Sequence, residues 1–223
     1  MIPKVVHYIW FGDPNKKPLD KINNWKQTLS GFAIKEWSEK DFNIESYKFA
    51  KQAYDLGKYG MSIDPFRLEI LEQHGGIWLD TDVNLYKNLI DFTKYSFFIG
   101  YALPGYFNMG LIGAAPHHPI ITRTLAWYKE NWSREIKVPM SLDALYVQLF
   151  NIEYSFVRTM KIEYGFMPDG ESKTFHTKDG DIRIESVSTF TYGHNFAEHK
   201  YEGSWRTEKL DYIAMLEKAY GKY

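Results

Sequence analysis

Cysteine is missing from all 223 residues, which removes disulfides, thiolate nucleophiles and Cys-ligated zinc and suits a reducing compartment. Missing too are an apolar run long enough to cross a bilayer and a leader-like apolar stretch of roughly 7 to 15 residues behind the first Met. A cytoplasmic protein is therefore expected. Lys and Arg never cluster, and 27 of them against 28 Asp and Glu leave a net charge of -1, so there is no basic field and nucleic acid is not an expected partner. Two common phosphate cradles are absent, since no G-x-G-x-x-G follows a strand and no Walker A Gly-Lys-Ser/Thr occurs. Repeats and low-complexity tracts are lacking as well.

What is present suffices for one substantial core: 44% hydrophobic and 25% charged residues describe ordinary globular material, read as a single domain over residues 1–223. The aromatic share, 17%, is high enough to supply sugar or base platforms as well as core packing. Alternating and helical periodicities follow one another along the chain. Strands are expected at residues 5–10, 32–37, 77–79, 96–101 and 108–114, and helices at 19–29, 46–56, 64–74, 118–132, 142–151 (capped by Ser141) and 205–220, with short strands and turns over 161–191. This order argues for an α/β fold with a mostly parallel central sheet flanked by helices, which binds ligands beyond the carboxyl ends of its strands.

The most informative stretch runs from Asp64 to Asp82. Phe66, Ile70 and Leu71 recur at helical spacing, Gly75-Gly76 stops the helix, and Ile77-Trp-Leu79 enters as a short apolar strand ending in Asp80-Thr-Asp82. Residues two apart on an extended segment share a face, so Asp80 and Asp82 can converge on one divalent cation. Carboxylate oxygens suit Mn²⁺ or Mg²⁺, either of which bridges phosphates. An Asp-x-Asp is weak by itself: a second copy, Asp179-Gly-Asp181, precedes an alternating segment and reads as a hairpin turn. Asp64 before Pro65 reads equally as a helix N-cap and as a ligand contact, with Arg67 one turn on to hold it or a phosphate. Trp10, ending the first strand, is either core or platform; Asn108, in a small-residue strand, is either an irregular turn residue or a ligand contact. His117-His118 before Pro119 has no third spaced ligand and is not read as a zinc site.

Asp64-x-x-Arg67 followed by Gly75-Gly76-Ile-Trp-Leu-Asp-Thr-Asp82 closely resembles the signature of the DXD-containing, sugar-binding glycosyltransferases of glycosyltransferase family 32. The opening Ile2-Pro-Lys-Val-Val-His-Tyr-Ile-Trp-Phe-Gly12, Trp25, Trp37 and Asn108-x-Gly-x-Ile-Gly-Ala114 are similar to that family's segments. The likeness thins beyond residue 120 to His194-Asn-Phe and Ser204-Trp205. Two departures bear on substrate identity: Ile63 stands where a Ser usually precedes the Asp, and Met140-Ser-Leu-Asp143 lacks a usual Gly-Pro.

The resemblance implies a GT-A-like nucleotide-diphospho-sugar transferase fold, with residues 1–115 as the nucleotide-sugar and metal-binding half and 116–223 as the acceptor-side and closing segment. It implies a retaining, metal-dependent hexosyl transfer from a nucleotide-diphosphate sugar, a UDP-hexose ahead of GDP-mannose, to a glycan or lipid-linked glycan in bacterial capsule, O-antigen or similar synthesis. Asp80 and Asp82 are the expected catalytic and metal-binding residues, with His194 as further metal ligand. Trp10, Asp64, Arg67, Asp80, Asn108 and Trp205 are the expected donor contacts. Eukaryotic members are typically anchored by an N-terminal helix, so a chain opening without one is expected to be of bacterial kind.

Two other functions compete. One is a catalytically silent carbohydrate-binding protein of the same fold, which the intact Asp64, Arg67, Asp80 and Asp82 argue against. The other is a metal-dependent phosphohydrolase, since Leu79-Asp-Thr-Asp-Val83 superficially resembles the haloacid dehalogenase motif. That motif sits on the first strand and needs Thr or Val two places after its second Asp, where this chain has Asn84. The final amphipathic segment, 205–223, is expected to pack on the sheet, with weak peripheral docking at the inner membrane as the alternative.

Overall fold

Val5–Ile9 forms strand β1 and pairs in parallel with β2 (Ala33–Trp37) on one side and β3 (Gly76–Leu79) on the other. The computed structural model describes residues 1–103, 106–131, 172–191 and 195–200. Beyond β3 lie β6 (Tyr106–Ala114), β5 (Phe97–Leu103), β8 (Gly180–Glu185) and β7 (Lys173–Thr177), giving a seven-stranded sheet of order β2-β1-β3-β6-β5-β8-β7. β3 pairs antiparallel with β6, β6 antiparallel with β5, β5 parallel with β8, and β8 antiparallel with β7. Strands β1, β2, β3, β5 and β8 thus run one way and only β6 and β7 oppose them. β6 must do so, because it follows β5 too closely for a parallel crossover, which needs about a dozen residues or more.

Central strands carry unbroken apolar runs because both faces are covered. Trp78, Phe97, Ile99 and Ile112 project to one side, where helices α4 (Asp64–His74) and α5 (Pro119–Asn131) supply Phe66, Ile70, Leu71, Ile120 and Tyr128. Ile77, Leu79, Phe98 and Leu111 alternate to the other, against Ile22 and Trp25 of α1 (Leu19–Thr28) and Phe190 of α6 (Val187–Phe190). Two helices on the first side, α2 (Lys48–Asp55) and α3 (Tyr59–Ser62), complete the described set. No helix among the described residues is long and apolar enough to cross a membrane.

Helix α4 begins one residue earlier than a cap at Asp64 would allow. Its N-cap is Ile63, at helical angles, because the turn of α3 runs straight into it; the Asp64 carboxylate is therefore spent elsewhere. The helix closes with the Gly75 amide donating to Leu71 O at 2.9 Å, and Gly75 and Gly76 at φ +60° and +97° turn the chain into β3. At Gly76 a Cβ would lie 2.7 Å from Val5 O, so only glycine lets this turn press against β1.

A second sheet was not anticipated. Strand β4 (Val83–Leu85) pairs antiparallel with β9 (Ala197–His199) in the register Val83↔His199 and Leu85↔Ala197. α1 supports β4 from behind: Trp25 Nε1 donates to Val83 O at 2.9 Å, and the Asn24 amide exchanges two hydrogen bonds with the Leu85 backbone. The expected hairpin at Asp179-Gly180 is present between β7 and β8, Thr177 pairing with Gly180. The expected helices at 142–151 and 205–220 lie outside the described residues.

Candidate active site

β3 is buried throughout and leaves the sheet at Asp80, whose amide donates to Gly110 O of β6 at 2.8 Å. Asp80 and Asp82 do approach each other, but not by strand alternation. A turn closed by Val83 N donating to Asp80 O at 3.1 Å folds the chain between them. Lys200 N donates to Asp82 O at 3.1 Å, tying β9 to the same turn.

His199 joins the two carboxylates from β9. Its Nε2 lies 3.0 Å from Asp82 Oδ1 and 3.9 Å from Asp80 Oδ2, and one ligand atom from each of the three residues falls within 4.8 Å of the others. Burial opposes a charged imidazole here, yet Asp82 beside it and Asp80 behind raise its pKa above the ordinary histidine value. Sequence reasoning missed this residue because its strand is three residues long, too short for a periodicity signal. The His194 expected as a ligand lies five positions upstream and, like Trp205, outside the described residues.

Asp80 is held from its far side. Its Oδ1 accepts from Trp78 Nε1 at 2.6 Å and faces Arg67 Nη1 at 3.5 Å, so Oδ2 is the oxygen turned to His199. Arg67, 5% exposed, donates from Nη1 to Met109 O at 2.7 Å and from Nη2 to Asp64 Oδ1, and its guanidinium lies over the Trp78 ring. Burial disfavours its charge, but Asp64 and Asp80 outweigh that and keep it cationic. Burial also pushes the Asp64 carboxyl above the usual carboxylate range against the pull of Arg67, and Tyr128 donates to its other oxygen at 3.4 Å.

Trp10 follows β1 as Asp80 follows β3; the strands are parallel, so both stand at the carboxyl edge of the sheet. The Trp10 ring is half-buried, with Nε1 donating to Asp13 O at 3.0 Å. Asn108 is fully buried, and its amide is engaged by Phe190, Thr191, Gly110 and His199. Asp179 and Asp181 belong to the hairpin, far along the sheet order from β3. His117 and His118 turn apart: His117 faces Glu72, while buried His118 caps α5 by accepting from Ile120 N.

Two carboxylates and one imidazole, half-buried and held in place from behind, form a donor set that fits Mn²⁺ or Mg²⁺ with room left for oxygen ligands.

Comparison with known proteins agrees. A curated relative, the uncharacterized glycosyltransferase L373 of Acanthamoeba polyphaga mimivirus, is 33% identical over 132 residues, covering 54% of this chain and 53% of that protein. The chain thus spans about half the length of this relative. Among solved structures, the PaToxG glycosyltransferase superposes with a TM-score of 0.54 at 21% identity over 71% of this chain and 72% of that one, a likeness of fold. Residues 16–98 match the profile described as glycosyltransferase sugar-binding region containing DXD motif. Asp80-Thr-Asp82 is the DXD within that span, so the part of the chain that carries the acidic pair is similar to that sugar-binding region.

Proposed function

We propose that this chain is a metal-dependent glycosyltransferase that moves a hexose from a nucleotide-diphosphate sugar to a glycan acceptor, with retention at the anomeric carbon. The convergence of Asp80, Asp82 and His199 at the carboxyl edge of the sheet carries this reading. Glycosyl transfer breaks the bond between the anomeric carbon and a phosphate oxygen through an oxocarbenium-like state. When bound, Mn²⁺ or Mg²⁺ supplies charge neutralisation for the departing diphosphate. Asp80, Asp82 and His199 would hold it. Arg67 fixes Asp80 and Asp64, and the Asp64 carboxylate would orient the donor. Trp10 offers a ring at the same edge on which the nucleotide base would stack, worth about 1 to 3 kcal/mol. His194 is proposed as a further metal or diphosphate contact and Trp205 as a donor contact. Residues 1–115 would form the donor half, with the segment 116–223 supplying His199 and the acceptor side. A UDP-hexose donor, a glycan or lipid-linked acceptor and a role in surface polysaccharide synthesis complete the proposal.

The test is a panel of UDP-glucose, UDP-galactose, UDP-N-acetylhexosamines and GDP-mannose, assayed for transfer and slow hydrolysis with Mn²⁺ or with chelator. Asp82→Ala is expected to lower the rate roughly 10³-fold or more with unchanged melting, while Asp181→Ala stays near wild type. Full activity in Asp82→Ala, with metal still required, would refute the assignment.

A further inference from the structure

We infer that Asn108 is a positioning residue that orients His199, so that Nδ1 carries a proton and Nε2 is the nitrogen presented between Asp80 and Asp82. The inference rests on the metal-site reading above and assigns Asn108 no contact with the donor.

The hydrogen-bond pattern leaves little choice. A side-chain amide has one accepting end and one donating end, and exchanging them alters every partner. Gly110 N–H, a donor only, points at the Asn108 side chain at 3.0 Å, so the atom there must be the carbonyl oxygen. At the other end Nδ2 donates to Thr191 Oγ1 at 2.9 Å and Phe190 O at 3.3 Å, and Thr191 Oγ1 is committed as donor to Tyr101 O at 2.8 Å. With the amide so fixed, Oδ1 faces His199 Nδ1 at 2.8 Å and can only accept from it. Nε2 then lies 3.0 Å from Asp82 Oδ1.

Packing fixes the ring as well. A Cβ at Gly110 would stand 2.4 Å from His199 Cε1, so the imidazole lies directly against the β6 backbone where glycine leaves space for it. Partners that orient a metal-binding imidazole commonly contribute about 10 to 100-fold in affinity.

Mn²⁺ binding to the full chain, followed by the loss of the free-ion electron paramagnetic signal, tests this without any transfer assay. Wild type should bind Mn²⁺ and show ¹⁴N modulation of the bound ion in electron spin echo. Asn108→Ala should bind about 10 to 100-fold more weakly and lose that modulation. Asn108→Asp, which retains an acceptor for Nδ1–H, should restore both to a large extent. Thr191→Val removes the far partner of the amide but leaves Oδ1, and should keep the modulation. Wild-type affinity with full modulation in Asn108→Ala, or an equal loss in Thr191→Val, would overturn the inference.

A measurement on the unmodified chain covers a variant that does not fold. With ¹⁵N-histidine and diamagnetic Zn²⁺, Nδ1 of His199 should show a one-bond proton coupling while Nε2 shows none; the reverse pattern overturns the assignment. Absence of Mn²⁺ and Zn²⁺ binding in wild type would instead remove the metal-site reading on which it rests.

Discussion

Arg67 links the acidic residues of the site to the fold. One guanidinium serves Asp64, Asp80 and the Met109 carbonyl from a buried position. Removing one member of a buried charge cluster leaves the others uncompensated, at about 3 to 5 kcal/mol. Arg67→Met should therefore lower unfolding stability by that amount in urea at pH 7.5, and Arg67→Lys should recover only part, because a point charge cannot bridge three oxygens set around a planar fork. A change within about 0.5 kcal/mol, the usual range for an uninvolved surface position, would show that the cluster is not coupled to stability. Asp64, Arg67, Asp80 and Asp82 were legible as a group because helix, glycine stop and strand follow local rules, but the turn after Leu79 that brings Asp80 to Asp82 was not, since strand alternation was expected there. The Asn108 contacts were not, since its partners Phe190, Thr191 and His199 lie 82, 83 and 91 residues away.

At the scale of elements, the passage from α4 to β3 sets the position of the DXD turn. Gly76 combines φ +97° with a Cβ position 2.7 Å from Val5 O and 2.9 Å from His7 Nε2, so a side chain there meets both backbone strain and the neighbouring strand. Gly76→Ala should cost about 2 kcal/mol or more, the strain alone accounting for about 1 to 3 kcal/mol, read as a lower urea midpoint at unchanged slope. A midpoint equal to wild type would mean that β1 can yield at this turn. Longer elements were legible from periodicity: α1, α4, α5 and strands β1, β2, β3, β5 and β6 lie close to where apolar spacing places them, whereas β7 and β8 were read only as short strands and turns without bounds. Strands β4 and β9, three residues each, leave no period to read, and pairing between distant segments has no local signature. The reversal of β6 was recoverable in principle from its nearness to β5; alternation of helix and strand elsewhere hid it.

Over the whole molecule, two histidines are buried where burial outweighs every opposing interaction, including the pull of Asp179 on His118. Burial holds both His7 and His118 at about 4, against an ordinary value of 6.5. The unfolded chain binds protons at these positions from pH 6.5 downward while the folded chain does not. Stability is thus complete above pH 6.5, falls as pH drops toward 4, and loses nothing further from these groups below that. Each contributes up to about 3 kcal/mol of that loss. His118→Asn keeps an acceptor for the Ile120 amide at the start of α5 and removes one titration, so its unfolding free energy should decline less than wild type between pH 7.5 and 5. Parallel pH profiles for the two proteins would assign the acid sensitivity elsewhere. The β4–β9 ladder adds a kinetic consequence. Because His199 reaches Asp82 only through three paired residues outside the main sheet, opening that ladder takes one ligand away while the other two stay in place. Residence time of a bound cation would then be governed by strand breathing and not by global unfolding, and saturation with metal would slow amide exchange at Lys200, tied to the Asp82 carbonyl, leaving exchange in β1 and β3 unchanged.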